Sequence, residues 1–175
     1  MSISKSLNIV LCLALLVSCK KLTDEELWNN GVDAQKANKF DESLKNYQQL
    51  IDDYPKSTKV PDALFAVGSI DQNQQRDIYG AIRCYRRIVQ EFPTHATASG
   101  AQFLIGFLYN NELKNLDSAK IAYEDFLKMY PDNPMAPSAR FELDNLGKDA
   151  NQIMDLKSRP IAKTPEQNPK KLHNK

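Results

Sequence analysis

A chain of 175 residues that is 42% hydrophobic and 26% charged has the balance of a globular protein with one real core, which excludes fibrous and mostly disordered classes. Its formal charge of +1 is unevenly spread, because Lys157, Arg159, Lys163, Lys170, Lys171 and Lys175 face only Glu166 at the C-terminal end, leaving the body from Lys20 to Leu156 mildly acidic. Such a body offers no electrostatic footprint for nucleic acid.

The first stretch reads as a targeting device. Lys5 supplies positive charge ahead of the apolar run from Leu7 to Val17. That run is too short to span a bilayer as a helix, for which about 20 residues are needed, so residues 1–18 are expected to be a signal peptide. Leu16-Val17-Ser18-Cys19 resembles the bacterial lipobox. The resemblance implies cleavage before Cys19, a diacylglycerol on its sulfur and an acyl group on its new amino terminus. The plainer alternative is a secretory signal with an incidental cysteine. Acyl chains contribute about 0.8 kcal/mol per buried CH₂, so two or three together anchor a protein stably on a membrane without spanning it. Lys20 stands where an Asp would, by resemblance to enterobacterial sorting rules, favour inner-membrane retention, so the outer membrane is expected. Residues 19–23 read as a short lipidated tether, with Thr23 or Asp24 as helix N-cap and acids in the first turn.

From Asp24 onward the apolar spacing is helical. It predicts helix pairs at 24–37 and 41–53, 60–73 and 77–91, and 97–111 and 116–129, then a lone helix at 136–147. Each second helix ends on an aromatic-proline pair: Tyr54-Pro55, Phe92-Pro93 and Tyr130-Pro131, a constant step of 38 residues. Proline lacks an N–H and turns the preceding residue away from the α region, so each helix must stop there.

More of the sequence repeats at the same step. Ser43, Ala81 and Ala119 align, as do Tyr47, Tyr85 and Tyr123, and Leu50, Ile88 and Phe126. In the first helices Ala63, Ala101 and Ala139 align, with Phe65, Phe103 and Phe141 two residues on. Small residues let helix backbones approach, and large apolar ones fill the space between hairpins. A single hairpin cannot bury both faces, so the units must stack.

A glycine in each first helix (Gly31, Gly68, Gly106), a small residue and a tyrosine in each second helix, and a closing proline together resemble the tetratricopeptide repeat. The match covers about residues 24–147. The resemblance implies an all-α, TPR-like α-solenoid of about three helix hairpins, at 24–55, 60–93 and 97–131, plus a C-terminal capping helix at 136–147. The distance from glycine to small residue is 12 in the first unit and 13 in the others, longer than in the usual repeat. Tyr54-Pro55-Lys56-Ser57 leading to Ala63 and Phe65, and Tyr130-Pro131-Asp132-Asn133 leading to Ala139 and Phe141, resemble the phrasing of two envelope families. One is BamD, the outer-membrane lipoprotein of the β-barrel assembly machinery; the other is the Tol-Pal-associated periplasmic protein CpoB (YbgF). Both imply protein partners in the cell envelope, barrel-assembly subunits for the first and peptidoglycan or division machinery for the second. Neither implies an enzyme, a small-molecule substrate or a cofactor beyond the lipid on Cys19.

Tetratricopeptide arrays bind partner segments along their first helices. By that analogy the partner-binding residues are Trp28, Val32, Gln35, Phe65, Gln72, Asn73, Phe103, Phe107, Asn110 and Asn111. Amides suit the task because they donate and accept hydrogen bonds without carrying charge. An aromatic at helical spacing is more often core, so Phe65 and Phe103 are expected between hairpins, while Trp28, with no hairpin before it, is expected to be the more exposed. The lysine-asparagine arrangement that clamps C-terminal carboxylates is missing, since Phe65 and Phe103 hold the lysine's place.

Catalytic constellations are hard to assemble from what remains. Cys12 leaves with the signal and Cys19 is acylated, so Cys84 is a lone thiol, and His95 and His173 stand apart from it. Acidic runs such as Asp52-Asp53 read as solvated helix faces. Residues 148–175, basic and interrupted by Pro160, Pro165 and Pro169, are expected to be a disordered tail, either solubilising or in contact with anionic lipid or an acidic partner.

Overall fold

The computed structural model describes Lys21–Lys148, and over those residues it contains seven α-helices and no strand. They are α1 (Asp24–Lys36), α2 (Phe40–Asp53), α3 (Val60–Ile70), α4 (Ile78–Glu91), α5 (Ala96–Asn111), α6 (Leu116–Met129) and α7 (Ala136–Asp144). A π-helical turn, Asp71–Gln75, extends α3. The signal segment, Cys19 and the basic tail lie outside the described residues.

Local chemistry sets where these helices begin. Thr23 is the N-cap of α1: its Oγ1 accepts from Glu26 N at 3.1 Å while the Glu26 carboxylate accepts from Thr23 N at 2.8 Å, a reciprocal capping box. Asp77 caps α4 by accepting from Gly80 N at 2.8 Å, and Asn115 caps α6 by accepting from Ser118 N at 3.0 Å. Helices α3 and α7 carry proline in their first turn instead, where its missing N–H costs nothing.

The two kinds of connection repeat in detail. Inside each hairpin a residue takes a left-handed conformation: Asn38 (φ 58), Arg76 (φ 59) and Lys114 (φ 52). Only Asn38 announces such a turn by its residue type, since Arg and Lys disfavour that region. The turn is then closed by backbone bonds from Lys39 N to Ala34 O (2.9 Å), Asp77 N to Asp71 O (2.9 Å) and Asn115 N to Tyr109 O (2.8 Å). The second and third closures span one residue more than the first. This is where the 13-residue spacing goes: the extra residue is absorbed as a π turn in the second hairpin and as an i→i−5 bond from Leu113 N to Leu108 O (3.0 Å) in the third.

Between hairpins the aromatic-proline corners are nearly superimposable. Tyr54, Phe92 and Tyr130 have φ/ψ of −132/56, −133/50 and −131/54. Their carbonyls accept from the N–H of Ser57, His95 and Asn133 at 2.9, 3.0 and 3.1 Å, so each corner is a hydrogen-bonded turn that delivers the chain to the next first helix.

The chain forms two compact units, one ending at Ala101 and the other beginning at Gln102. In the first, α1 packs on α2, α2 on α3 and α3 on α4, around buried Leu27, Tyr47, Leu50, Leu64, Ile82, Tyr85 and Ile88. In the second, α6 packs on α7 around Ala119, Tyr123, Phe126, Ala136 and Ala139, with Phe103 and Leu143 against them. The aligned small residues Ser43, Ala81 and Ala119 are fully buried, and so are Ala63, Ala101 and Ala139. Ser43 also donates from Oγ to the Gly31 carbonyl at 2.8 Å, which explains a hydroxyl at an alanine position. The lone helix α7 ends three residues before the expected 147. It exposes Arg140 and Asp144, but also Phe141, 41% exposed, so this face is less polar than its charges imply.

Each repeat glycine lies under a tyrosine ring. A Cβ on Gly31, Gly68 or Gly106 would come within 2.5, 2.8 or 2.7 Å of the ring of Tyr47, Tyr85 or Tyr123, far inside van der Waals contact. Tyr85→Ala is expected to cost about 3–5 kcal/mol by emptying this space, and Gly68→Ala about 1–3 kcal/mol by overfilling it. Urea denaturation of both variants checks this, and a loss below about 1 kcal/mol for Tyr85→Ala contradicts the packing.

Candidate functional site

One side of the first helices repeats an aromatic, the glycine three residues on and an amide seven residues on. The sets are Trp28, Gly31, Gln35; Phe65, Gly68, Gln72; and Phe103, Gly106, Asn110. Spacing of three and seven keeps all members on one helix face. Each aromatic rests on the tyrosine that fills its glycine: Trp28 on Tyr47 and Phe65 on Tyr85, both at 5.4 Å between centroids, and Phe103 on Tyr123 at 5.6 Å.

This arrangement corrects the reading of Trp28. It is not the exposed outlier of the first unit but the counterpart of Phe65, half-buried like Phe65 and Phe103. The constant step of 38 hid the match, because the shorter turn of the first hairpin moves its first helix by one residue. A tyrosine supplied from within the same hairpin covers Trp28, so no preceding hairpin is needed.

The amides divide into two classes. Gln35 accepts from Tyr47 Oη at 3.2 Å and Gln72 from Tyr85 Oη at 3.5 Å, so they hold the buried hydroxyls at the top of each ring. Asn73 and Asn111 instead donate back to carbonyls of their own helices, Ser69 O at 2.9 Å and Phe107 O at 3.1 Å. Asn110 takes the place of Gln35 and Gln72 but is one methylene shorter, and buried Tyr123 Oη has no hydrogen-bond partner among the described residues. Burial pushes the Tyr123 phenol well above its usual range, with the Glu142 carboxylate adding to the shift. Val32, Phe107 and Asn110 are half-buried, and Asn73 is exposed. In the first unit the structure thus puts Trp28, Gln35, Phe65 and Gln72 into two copies of one motif, and in the second unit Phe103 and Asn110 into a third.

Two contributors escaped sequence reasoning. Gln102 aligns with Leu64 at a core position, is buried, and donates to the Ala122 carbonyl at 2.8 Å. Its signal was a polar residue where the repeat asks for leucine. The other is a set of ties from the first two corners back to the first helices of their own hairpins. Ser57 Oγ donates to Asp24 Oδ2 at 2.6 Å, Lys59 pairs with Glu25 at 2.8 Å, and His95 approaches Asp62 at 3.9 Å. The Ser57 hydroxyl holds the Asp24 carboxyl below the usual aspartate range.

Reactive chemistry is weak in this setting. Burial, reinforced by Asp71, pushes the half-buried Cys84 thiol up to about 11, so it stays protonated and poorly nucleophilic at neutral pH. The Asp71 carboxyl is raised by burial and then by the neighbouring Asp77 charge. Among the described residues no group of three or more His, Cys, Asp or Glu is placed to hold a metal ion, and no helix is long and apolar enough to cross a membrane.

The family model described as tetratricopeptide repeat matches residues 31–57 and 101–133. These two stretches carry the tetratricopeptide-repeat pattern. Each matched stretch ends on the hydrogen-bonded corner position, Ser57 or Asn133, and the all-helical architecture is of the TPR-like α-solenoid class. No curated protein matches the chain significantly. Tetratricopeptide repeats are generally non-enzymatic scaffolds for protein-protein contacts, so the ligand class they imply is protein.

Two outcomes follow from the geometry. Tyr47→Phe is expected to lose about 0.5–1.5 kcal/mol because Gln35 is bonded to its hydroxyl, whereas Tyr123→Phe is expected to be neutral or stabilising, since it removes a buried hydroxyl without a partner. Paired thermal melts compare them. The lowered Asp24 value contributes stability above the unfolded aspartate value of about 3.9, and that contribution is lost as pH falls through the folded value. Ser57→Ala should move the Asp24 titration upward, toward the ordinary value, as read by carboxyl NMR.

Proposed function

We propose that this protein is a non-enzymatic, lipid-anchored scaffold on the periplasmic side of a bacterial outer membrane, binding other envelope proteins in β-barrel assembly or a related envelope task. The observation that carries the scaffold reading is the thrice-repeated aromatic-glycine-amide face of the first helices. Half-buried rings next to half-buried amides offer apolar contact and backbone-type hydrogen bonding side by side, which is what an extended or helical partner segment needs. The anchoring part rests on the sequence alone: the apolar run behind Lys5 and the lipobox-like Leu16-Val17-Ser18-Cys19. The envelope families resembled at the aromatic-proline corners supply the task.

Cys19→Ala is expected to move the protein from the membrane fraction to the soluble or unprocessed fraction and to abolish incorporation of labelled palmitate. Normal lipidation of that variant overturns the anchoring. Affinity capture from intact membranes is expected to recover barrel-assembly subunits; recovery of murein synthases or Tol-Pal components instead favours the peptidoglycan-associated alternative.

A further inference from the structure

The stretch that leads from the expected anchor into the fold is not slack. Tyr54, the first corner aromatic, donates from Oη to the Leu22 carbonyl at 2.6 Å. Lys21 Nζ lies 3.3 Å from Asp53 Oδ1 and 5.0 Å from the centroid of the Tyr54 ring. Thr23 follows at once as the cap of α1. The segment read as a five-residue tether is therefore tied to the first corner over its described part, and only Cys19 and Lys20 precede the tie. Two residues reach at most about 7 Å.

We infer that a lipid on Cys19 holds the first unit close to the bilayer with its proline corners toward the membrane surface and its hairpin turns away from it. This rests on the lipidation reading and adds an orientation to it. In the first unit the N-termini of α1 and α3 and the C-termini of α2 and α4 meet at the corner end, as the contacts of Ser57 with Asp24 and of Lys59 with Glu25 show. A helix of 13 residues such as α1 is about 20 Å long, so the turns at Asn38 and Arg76 lie that far from the corners. A tether of two residues keeps the corner end within about 7 Å of the anchor, whereas the turn end can stand about 20 Å farther out. The corner end itself suits a headgroup surface. Pro55, Lys56 and Thr94 are exposed there, and two of the nearby acids, Asp53 and Glu25, are paired with Lys21 and Lys59.

The test uses the full-length lipoprotein in vesicles of phosphatidylethanolamine and phosphatidylglycerol containing a headgroup-quencher lipid. Single cysteines carrying a fluorophore are placed at Lys56→Cys or Thr94→Cys on the corner end and at Ala37→Cys or Gln74→Cys on the turn end, in a Cys84→Ala background. Alanine already stands at the aligned Ala122, so that background is tolerated. All four positions are exposed. Quenching is expected to be at least about twofold greater at the corner pair, given the ~20 Å difference in height. Tyr54→Phe, which installs the residue the second corner already has as Phe92, should reduce the contrast by freeing Leu22 and lengthening the tether. Equal quenching at both ends of an acylated protein overturns the orientation alone, and an undiminished contrast in Tyr54→Phe overturns the role of the tie. Mass spectrometry showing an unacylated N-terminus overturns the lipidation reading and the orientation with it.

Discussion

Everything regular in this protein depends on one steric exchange: a glycine in each first helix gives up its side chain so that a tyrosine from the second helix can lie against its backbone. With the ring within 2.5–2.8 Å of where each Cβ would be, the two helices of a hairpin approach in only one register. That register buries Ser43, Ala81 and Ala119 and gives Trp28, Phe65 and Phe103 a ring to rest on. The interior tolerates neither more nor less at this point, because close packing makes both a void and an overlap costly.

The aromatic-proline corners turn this local fit into a repeat. Three corners with nearly equal dihedrals give the chain the same exit from each second helix, and the same pair of backbone bonds starts the next first helix. Variation is confined to the hairpin turns, where one extra residue becomes a π turn without disturbing the corners. A repeat tolerates insertions where backbone groups can find new partners, and helix ends have such groups to spare.

The functional side follows from the same exchange. A tyrosine pushed against a glycine brings its hydroxyl to the helix surface, where Gln35 and Gln72 meet it. The polar groups near the aromatic face are therefore placed by the core itself. Reactive groups are disarmed by the same burial: Cys84 is kept protonated, and the raised phenols of Tyr85 and Tyr123 remain neutral.

Residue type and spacing alone determined the hairpins, the corners and the small-residue register, because proline, glycine and alanine act through backbone geometry that needs no knowledge of distant contacts. The amides and aromatics of the candidate face were also legible as a set. What the sequence could not rank was their roles. Trp28 looked solitary because a one-residue difference in the turn broke the period, and Gln35 and Asn73 looked alike although one holds a tyrosine hydroxyl and the other bonds its own helix. Gln102 showed only as a polar residue at a leucine position, and its partner, the Ala122 carbonyl, meets it only across the hairpin; the left-handed Arg76 and Lys114 carry no residue-type signal, because the length of the turn imposes their conformation. The tie from Tyr54 to Leu22, which fixes the entry to the fold, was decided only by tertiary structure: a hydroxyl and a carbonyl 32 residues apart meet only after the first hairpin has closed.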